Sequence, residues 1–238
     1  MFTFHWSGKQ LKTEWGTYEA SVRRISDLKD VLLDPPEEEG DAYYMFRDVC
    51  RPEDRGKFEA HAVRYDITVI PPGTIGKEYI KTFGHYHPEA GYGLSYPEIY
   101  EVLDGEALFL LQTRDASDFI AVRAGKGDVA VMLPNYGHVT VNTGTKPLIM
   151  ANLVSSKFSS EYGAVREKHG FAWYYTTEGW VKNPHYGTHP EILETGPSPF
   201  PPDIYSFFVE RPRFFEWLNR PWKVADWSPE RMFLRTQH

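Results

Sequence analysis

With 238 residues, a net charge of -7 and a pI near 5.7, the chain has no basic face to displace counterions from phosphate backbones, which excludes nucleic acid as an expected partner. Hydrophobic residues at 41% and aromatics at 16% suffice for a substantial core, and no stretch approaches the roughly 20 apolar residues of a membrane helix. A lone cysteine, Cys50, rules out an internal disulfide or a thiolate zinc site, so any metal must be held by His and carboxylate.

The opening "MFTFHWSGKQLKTEW" lacks the basic segment and apolar run of a secretory leader, so a cytoplasmic protein is expected. Residues 1–59 carry short apolar runs and an acidic stretch, "DPPEEEGD", that reads as a solvated loop. From "VRYDITVIPPG" to "GTKPLIMANLVSS" short β-branched and aromatic runs alternate with turn residues: Pro71-Pro72-Gly73, Asp104-Gly105, Asp115 to Asp118, Gly125-Lys126-Gly127 and Thr143-Gly144-Thr145. That spacing predicts an antiparallel sandwich or barrel rather than βαβ units, with its core at about 60–155 in a single domain spanning 1–238. Residues 160–180 open as a helical turn and end as a strand. Beyond about 185 the chain is rich in Pro and aromatics, with one short helix predicted near "RPRFFEWLNR"; this extension packs over the barrel or against a second subunit.

His85 and His87 are two apart, so on a strand they project from one face, as two ligands of one ion must. With 9 His in the chain, about one chain in three of this composition shows such a pair by chance. The neighbours add weight. In "PEIYEVLDG", Glu98, Tyr100 and Val102 share one face and Ile99, Glu101 and Leu103 the other, so either Glu98 or Glu101 could point into a barrel. In "GHVTVNTG", His138, Thr140 and Asn142 form a polar face between β-branched residues. Buried polar groups need partners, and three imidazoles with a carboxylate would be satisfied by a divalent cation.

The stretch from His85 to Asn142 resembles the two cupin motifs: His-x-His, a Glu with six residues before Gly105, and Gly127 followed by His138 and, four further on, Asn142. The resemblance implies a double-stranded β-helix (jelly-roll) barrel with short helices, to which this chain adds its aromatic and Pro-rich C-terminal extension. It further implies His85, His87, Glu98 and His138 as metal ligands, Glu98 being preferred to Glu101 by its spacing to Gly105. Two departures stand out. Ten residues separate His87 from Glu98, more than in many cupins, and suggest a longer hairpin over the site. Leu133 stands where the second motif usually has proline, with Pro134 beside it.

"ASVRRISDLKDVLLD", "TVIPPGTIGKEYIKTFGHYH", "EIYEVLDGEALFLLQT", "GHVTVNTGTKPLIMANLV" and "EYGAVREKHGF" together, and in this order, resemble the cupin-type glucose-6-phosphate isomerases found chiefly in archaea. That resemblance spans about residues 20–171 and implies an enzyme that interconverts glucose 6-phosphate and fructose 6-phosphate. It implies one divalent metal per chain, ferrous iron before manganese, nickel or zinc, and a homodimer acting on a small sugar phosphate with no membrane partner. By the same resemblance Glu98 is the catalytic base, Thr68, Thr82 and Gly84 hold the phosphate end, and Tyr44, Tyr100 and Tyr162 surround the sugar. Ser160 replaces a histidine of the family's "GHDYG", which reads "SSEYG" here. Two further classes share the ligand set: a ferrous cupin dioxygenase, and a non-catalytic module whose ion is closed off by protein ligands.

Overall fold

The computed structural model describes residues 3–35, 37 and 39–234; of the acidic stretch, Pro36 and Glu38 lie outside the described residues. Two sheets dominate. The larger has six strands in the order Val129–Met132, Glu98–Asp104, Leu148–Ser155, Val63–Ile70, Asp41–Phe46 and Ser21–Arg24. The smaller has four, in the order Tyr136–Asn142, Glu106–Thr113, Phe119–Gly125 and Ile192–Thr195. All pairings in both are antiparallel except that of Ile192–Thr195, which runs parallel to Phe119–Gly125. With few and short helices, this is the all-β cupin architecture. The sheets reach beyond residues 60–155, because two strands from the first fifty residues and one from the C-terminal extension join them.

Strand alternation explains where the core and the cavity lie. In "VRYDITVI", Arg64, Asp66 and Thr68 point one way and Val63, Tyr65, Ile67 and Val69 the other. Arg64 and Thr68 line a cavity between the sheets, with Asp66 buried against Arg47 and Arg64, while the apolar set joins the core and its Tyr65 packs beneath the C-terminal extension. The Tyr65 and Tyr205 rings meet edge to face at 5.1 Å, and Phe58 stacks on Phe208 at 4.6 Å. The extension therefore covers the barrel of its own chain. It does so with an α-helix at Ile204–Glu210, absent from the sequence reading, and a 3-10 helix at Pro212–Leu218 where the short helix was expected.

Two details position the site. Gly105 takes φ +87, and a Cβ there would sit 2.8 Å from the Pro147 carbonyl oxygen, so glycine is required where the chain crosses between sheets. The long segment between His87 and Glu98 folds into a small hairpin, Glu89–Gly91 with Leu94–Ser95. Asn135 holds it: its Oδ1 accepts from Ser95 N–H at 2.9 Å, and its Nδ2 donates to the Gly93 carbonyl at 3.0 Å.

Candidate metal centre

Residues 80–86 run alongside the Tyr136–Asn142 strand, with Asn142 N–H donating to Ile80, Thr82 N–H to Thr140, and His85 and His138 exchanging backbone bonds at 3.2 and 3.0 Å. This bridge sets His85 and His138 side by side, and His87 follows two residues on. Gly84 makes the approach possible: at φ +83, a Cβ would lie 2.4 Å from Val139 Cγ2. Glu98 arrives from the opposite sheet, at the start of Glu98–Asp104. Three imidazoles from one wall thus meet one carboxylate from the other, with a donor atom of each within 4.8 Å of all the others.

The side chains are oriented as ligands. His87 Nδ1 lies 2.8 Å from the Tyr96 carbonyl oxygen, which fixes Nδ1 as the protonated nitrogen and turns the Nε2 lone pair inward. His85 Nε2 and His87 Nε2 face each other at 3.1 Å, while Glu98 Oε2 sits 3.2 Å from His138 Nε2 and 3.4 Å from His87 Nε2. Glu98 Oε1 is engaged separately, accepting from Asn152 Nδ2 at 2.6 Å. Electrostatics favours neutral His85 and His87 beside an ionised Glu98. Burial pushes His87 down to about 4, and burial together with the neighbouring His138 and His87 holds His85 well below its usual range. Burial alone would raise Glu98, but the His138 hydrogen bond and the electrostatic attraction of His138 and His87 outweigh it and hold the carboxyl low. Neutral nitrogens and one carboxylate are the protonation states a divalent cation requires. The donor set fits such an ion, and His85, only half-buried, leaves an approach from the cavity.

The structure brings Thr68, Thr82, Gly84, Tyr100 and Tyr162 into the same cavity as the four ligands, together with Ser160. Thr82 Oγ1 accepts from Thr140 N–H at 2.9 Å, which leaves its hydroxyl proton available to another acceptor. Tyr100 sets its hydroxyl 3.5 Å from His138 Nε2, and the Tyr162 ring lies 5.5 Å from that of His85. Tyr44 is not brought in. Alternation along Asp41–Phe46 turns it to the other face, where its ring packs on Trp6 at 5.4 Å and its hydroxyl donates to Asp41 at 3.3 Å. Tyr43 takes the cavity position instead, its hydroxyl accepting from Phe83 N–H at 3.3 Å. Glu101 points away from the ligands and accepts the backbone N–H groups of Asp203 and Ile204 at 2.8 and 2.9 Å. The sequence reading also missed Met45, Arg47, Arg64 and Asn152, all in the cavity wall. A usable signal existed for Arg64: the strict polar/apolar alternation of "VRYDITVI".

The family model for glucose-6-phosphate isomerase (GPI) matches residues 22–191. The glucose-6-phosphate isomerase of Thermococcus litoralis is 33% identical over 175 residues, covering 69% of this chain and 86% of the relative. That of Thermococcus onnurineus is 34% identical over 167 residues, covering 66% and 80%. Among solved structures, the Lactobacillus farciminis oxalate decarboxylase formate complex aligns at 22% identity with a TM-score of 0.38, over 52% of this chain and 31% of that one. The match to the family model covers the cavity strands, all four candidate ligands and most of the barrel, and the chain belongs to the glucose-6-phosphate isomerase family.

Proposed function

We propose that the chain is a metal-dependent aldose-ketose isomerase interconverting glucose 6-phosphate and fructose 6-phosphate, with His85, His87, Glu98 and His138 holding the ion. The observation that carries this reading is the convergence of three imidazoles and one carboxylate in a cavity that also holds the uncharged donors Thr68, Thr82 and Gly84. When bound, the ion supplies Lewis-acid polarisation to two adjacent sugar oxygens. The chain supplies the rest. Thr68 and Thr82 hydroxyls and the Gly84 backbone hold the phosphate, and Tyr43, Tyr100 and Tyr162 wall the sugar. Glu98, kept ionised by its imidazole neighbours, takes the proton that leaves the C2 end and returns it at C1. Asn152 binds only Oε1 and so leaves Oε2 directed at His138 and His87, where the ion would be held.

The finer features of the proposal are ferrous iron as the working ion, which suits imidazole with one carboxylate, and a cytoplasmic homodimer of single-domain chains. Phe214 and Trp222, exposed on the C-terminal extension, supply apolar surface for a second copy, and no helix among the described residues is long and apolar enough to cross a membrane. Half-buried His85 argues against a closed structural ion. The test is conversion of fructose 6-phosphate to glucose 6-phosphate, read by coupled oxidation of the product, with oxygen uptake followed in parallel. Turnover without oxygen uptake is expected; oxygen uptake without isomerisation would move the chain to the dioxygenase class.

A further inference from the structure

Two arginines in the cavity wall have no part in phosphate or metal binding as described above. Sheet register places them. Arg64 pairs with Val154, which pairs with Glu98; Asp66 pairs with Asn152, which pairs with Tyr100; Thr68 pairs with Met150. These cross-strand rows run along the cavity from the ligand end to the phosphate end. At about 3.3 Å per residue, Arg64 and Thr68 are about 13 Å apart along their strand. Register sets the Arg64 backbone in the Glu98 row and its Nε on Asp66 in the Tyr100 row, so its guanidinium stands in the cavity wall between the ligand row and the middle of the cavity, short of Thr68.

The charge balance in this wall is uneven. Asp66 is completely buried and accepts from Arg47 Nη1 at 2.6 Å, Arg64 Nε at 2.7 Å and Asp48 N–H at 3.1 Å. One carboxylate thus binds two guanidinium groups, and the nearby Glu98 carboxylate, which also feels Arg64, is the one the ion would balance. Arg47 spends a second donor on Met45 Sδ, whereas Arg64 uses only Nε among the described residues, which leaves both of its Nη groups free to meet a ligand. A fixed, partly buried cation with uncommitted donors is suited to charge that appears only during reaction.

We propose that Arg64, anchored by Asp66 and flanked by Arg47, stabilises the negative charge that develops on the carbonyl-end oxygen of the sugar phosphate. The inference rests on the isomerase reading. In the proton route, the C2–H electron pair becomes the C1=C2 bond as a base takes the proton, and the carbonyl π pair moves onto O1. In the hydride route, the O2–H proton leaves, its electron pair forms C2=O, the hydrogen passes from C2 to C1 with its electrons, and the carbonyl pair again moves onto O1. Both are redox-neutral overall and both leave O1 negative until it is protonated. Arg64 meets that oxygen in either case.

The experiment uses the full chain loaded with its metal, as wild type, Arg64→Gln and Arg64→Lys. Asp66 keeps Arg47 and the Asp48 N–H in both variants, and thermal unfolding with metal content verifies that each is folded and loaded. Steady-state kinetics are paired with calorimetric binding of a five-carbon aldonate phosphate, whose carboxylate mimics the charged carbonyl end, and of inorganic phosphate. Arg64→Gln should lower kcat by about 100-fold and weaken the aldonate phosphate by a similar factor, with KM and phosphate binding nearly unchanged and partial recovery in Arg64→Lys. Unchanged kcat and aldonate affinity would overturn the proposal, as would equal losses for the aldonate and inorganic phosphate, which would place Arg64 on the phosphate. If wild type shows no turnover, the isomerase reading fails by itself, and the two binding measurements still decide which end Arg64 meets.

Discussion

Glu98 and Glu101 stand three residues apart on one strand, both nearly inaccessible, and the structure uses them in opposite ways. Glu98 faces inward to three histidines and one amide, with an oxygen aimed at the point where the imidazole nitrogens meet. Glu101 faces outward and is satisfied by the backbone N–H groups that begin the Ile204–Glu210 helix. Their electrostatics differ accordingly. The Glu98 carboxyl is held low by His138 and His87 against the pull of burial, whereas burial raises Glu101 despite the opposing Asp203 and Ile204 donors. A buried carboxylate satisfied by fixed backbone donors is a structural anchor; one set among imidazole nitrogens offers, with them, a donor set for a cation.

The sharpest way to break this contrast is to remove the inner partners. His138→Ala should strip most of the bound metal and with it essentially all turnover, measured by elemental analysis and assay on the same sample; full metal content would place another ligand in the site. Glu98→Gln should leave the fold intact while turnover falls by about 100-fold or more. An unchanged rate would remove Glu98 from the chemistry. Glu101→Gln, by contrast, should cost about 1–3 kcal/mol of stability by weakening two charge-assisted bonds, with kcat unchanged. A loss of activity in a folded, metal-loaded Glu101→Gln protein would erase the distinction.

The ion-free protein offers a comparison by pH. His87 titrates at about 4 in the fold against 6.5 for a free imidazole, and His85 is lowered in the same sense. Between those values the unfolded chain binds more protons than the folded one, so stability must fall as pH drops from about 6.5 towards about 4. Thermal unfolding of chelated protein across that window should show the decline, and His87→Gln should flatten it; a wild-type protein equally stable throughout would contradict the lowered His85 and His87. The smallest effects concern the adjacent tyrosines. Tyr43→Phe should raise KM by about threefold, as expected for one lost neutral hydrogen bond, and Tyr44→Phe should leave kinetics unchanged.

That last pair shows where the sequence was legible and where it was not. His138 stood out because polar residues alternate with β-branched ones in "GHVTVN", whereas the His85 and His87 pair, common by chance, gained its weight from that strand and from the nearby carboxylates. The choice of Glu98 over Glu101 needed the family spacing, since alternation alone puts them on opposite faces without saying which is inside. "AYYM" carries aromatic residues on both faces, so nothing local distinguishes the cavity tyrosine, Tyr43, from Tyr44, which packs on Trp6. Arg64 and Asp66 alternate visibly, but a charged pair on a strand ordinarily reads as a solvated face; their burial depends on the sheet opposite and on Arg47, 17 residues earlier than Arg64. The Ile204–Glu210 helix was hidden for a related reason. Its aromatic sequence has weak helix propensity, and its start is fixed by Asp203 accepting from Ser206 and by distant Glu101.

If one ion held by His85, His87, Glu98 and His138 makes the cavity an isomerase, protein stripped with a chelator and titrated anaerobically with ferrous iron or manganese should show it, with bound metal and conversion of fructose 6-phosphate read at each step. The stripped protein should show no turnover, and the rate should rise in proportion to occupancy and level at one ion per chain. Full turnover in the stripped protein, or none at full occupancy, would contradict that role for the ion.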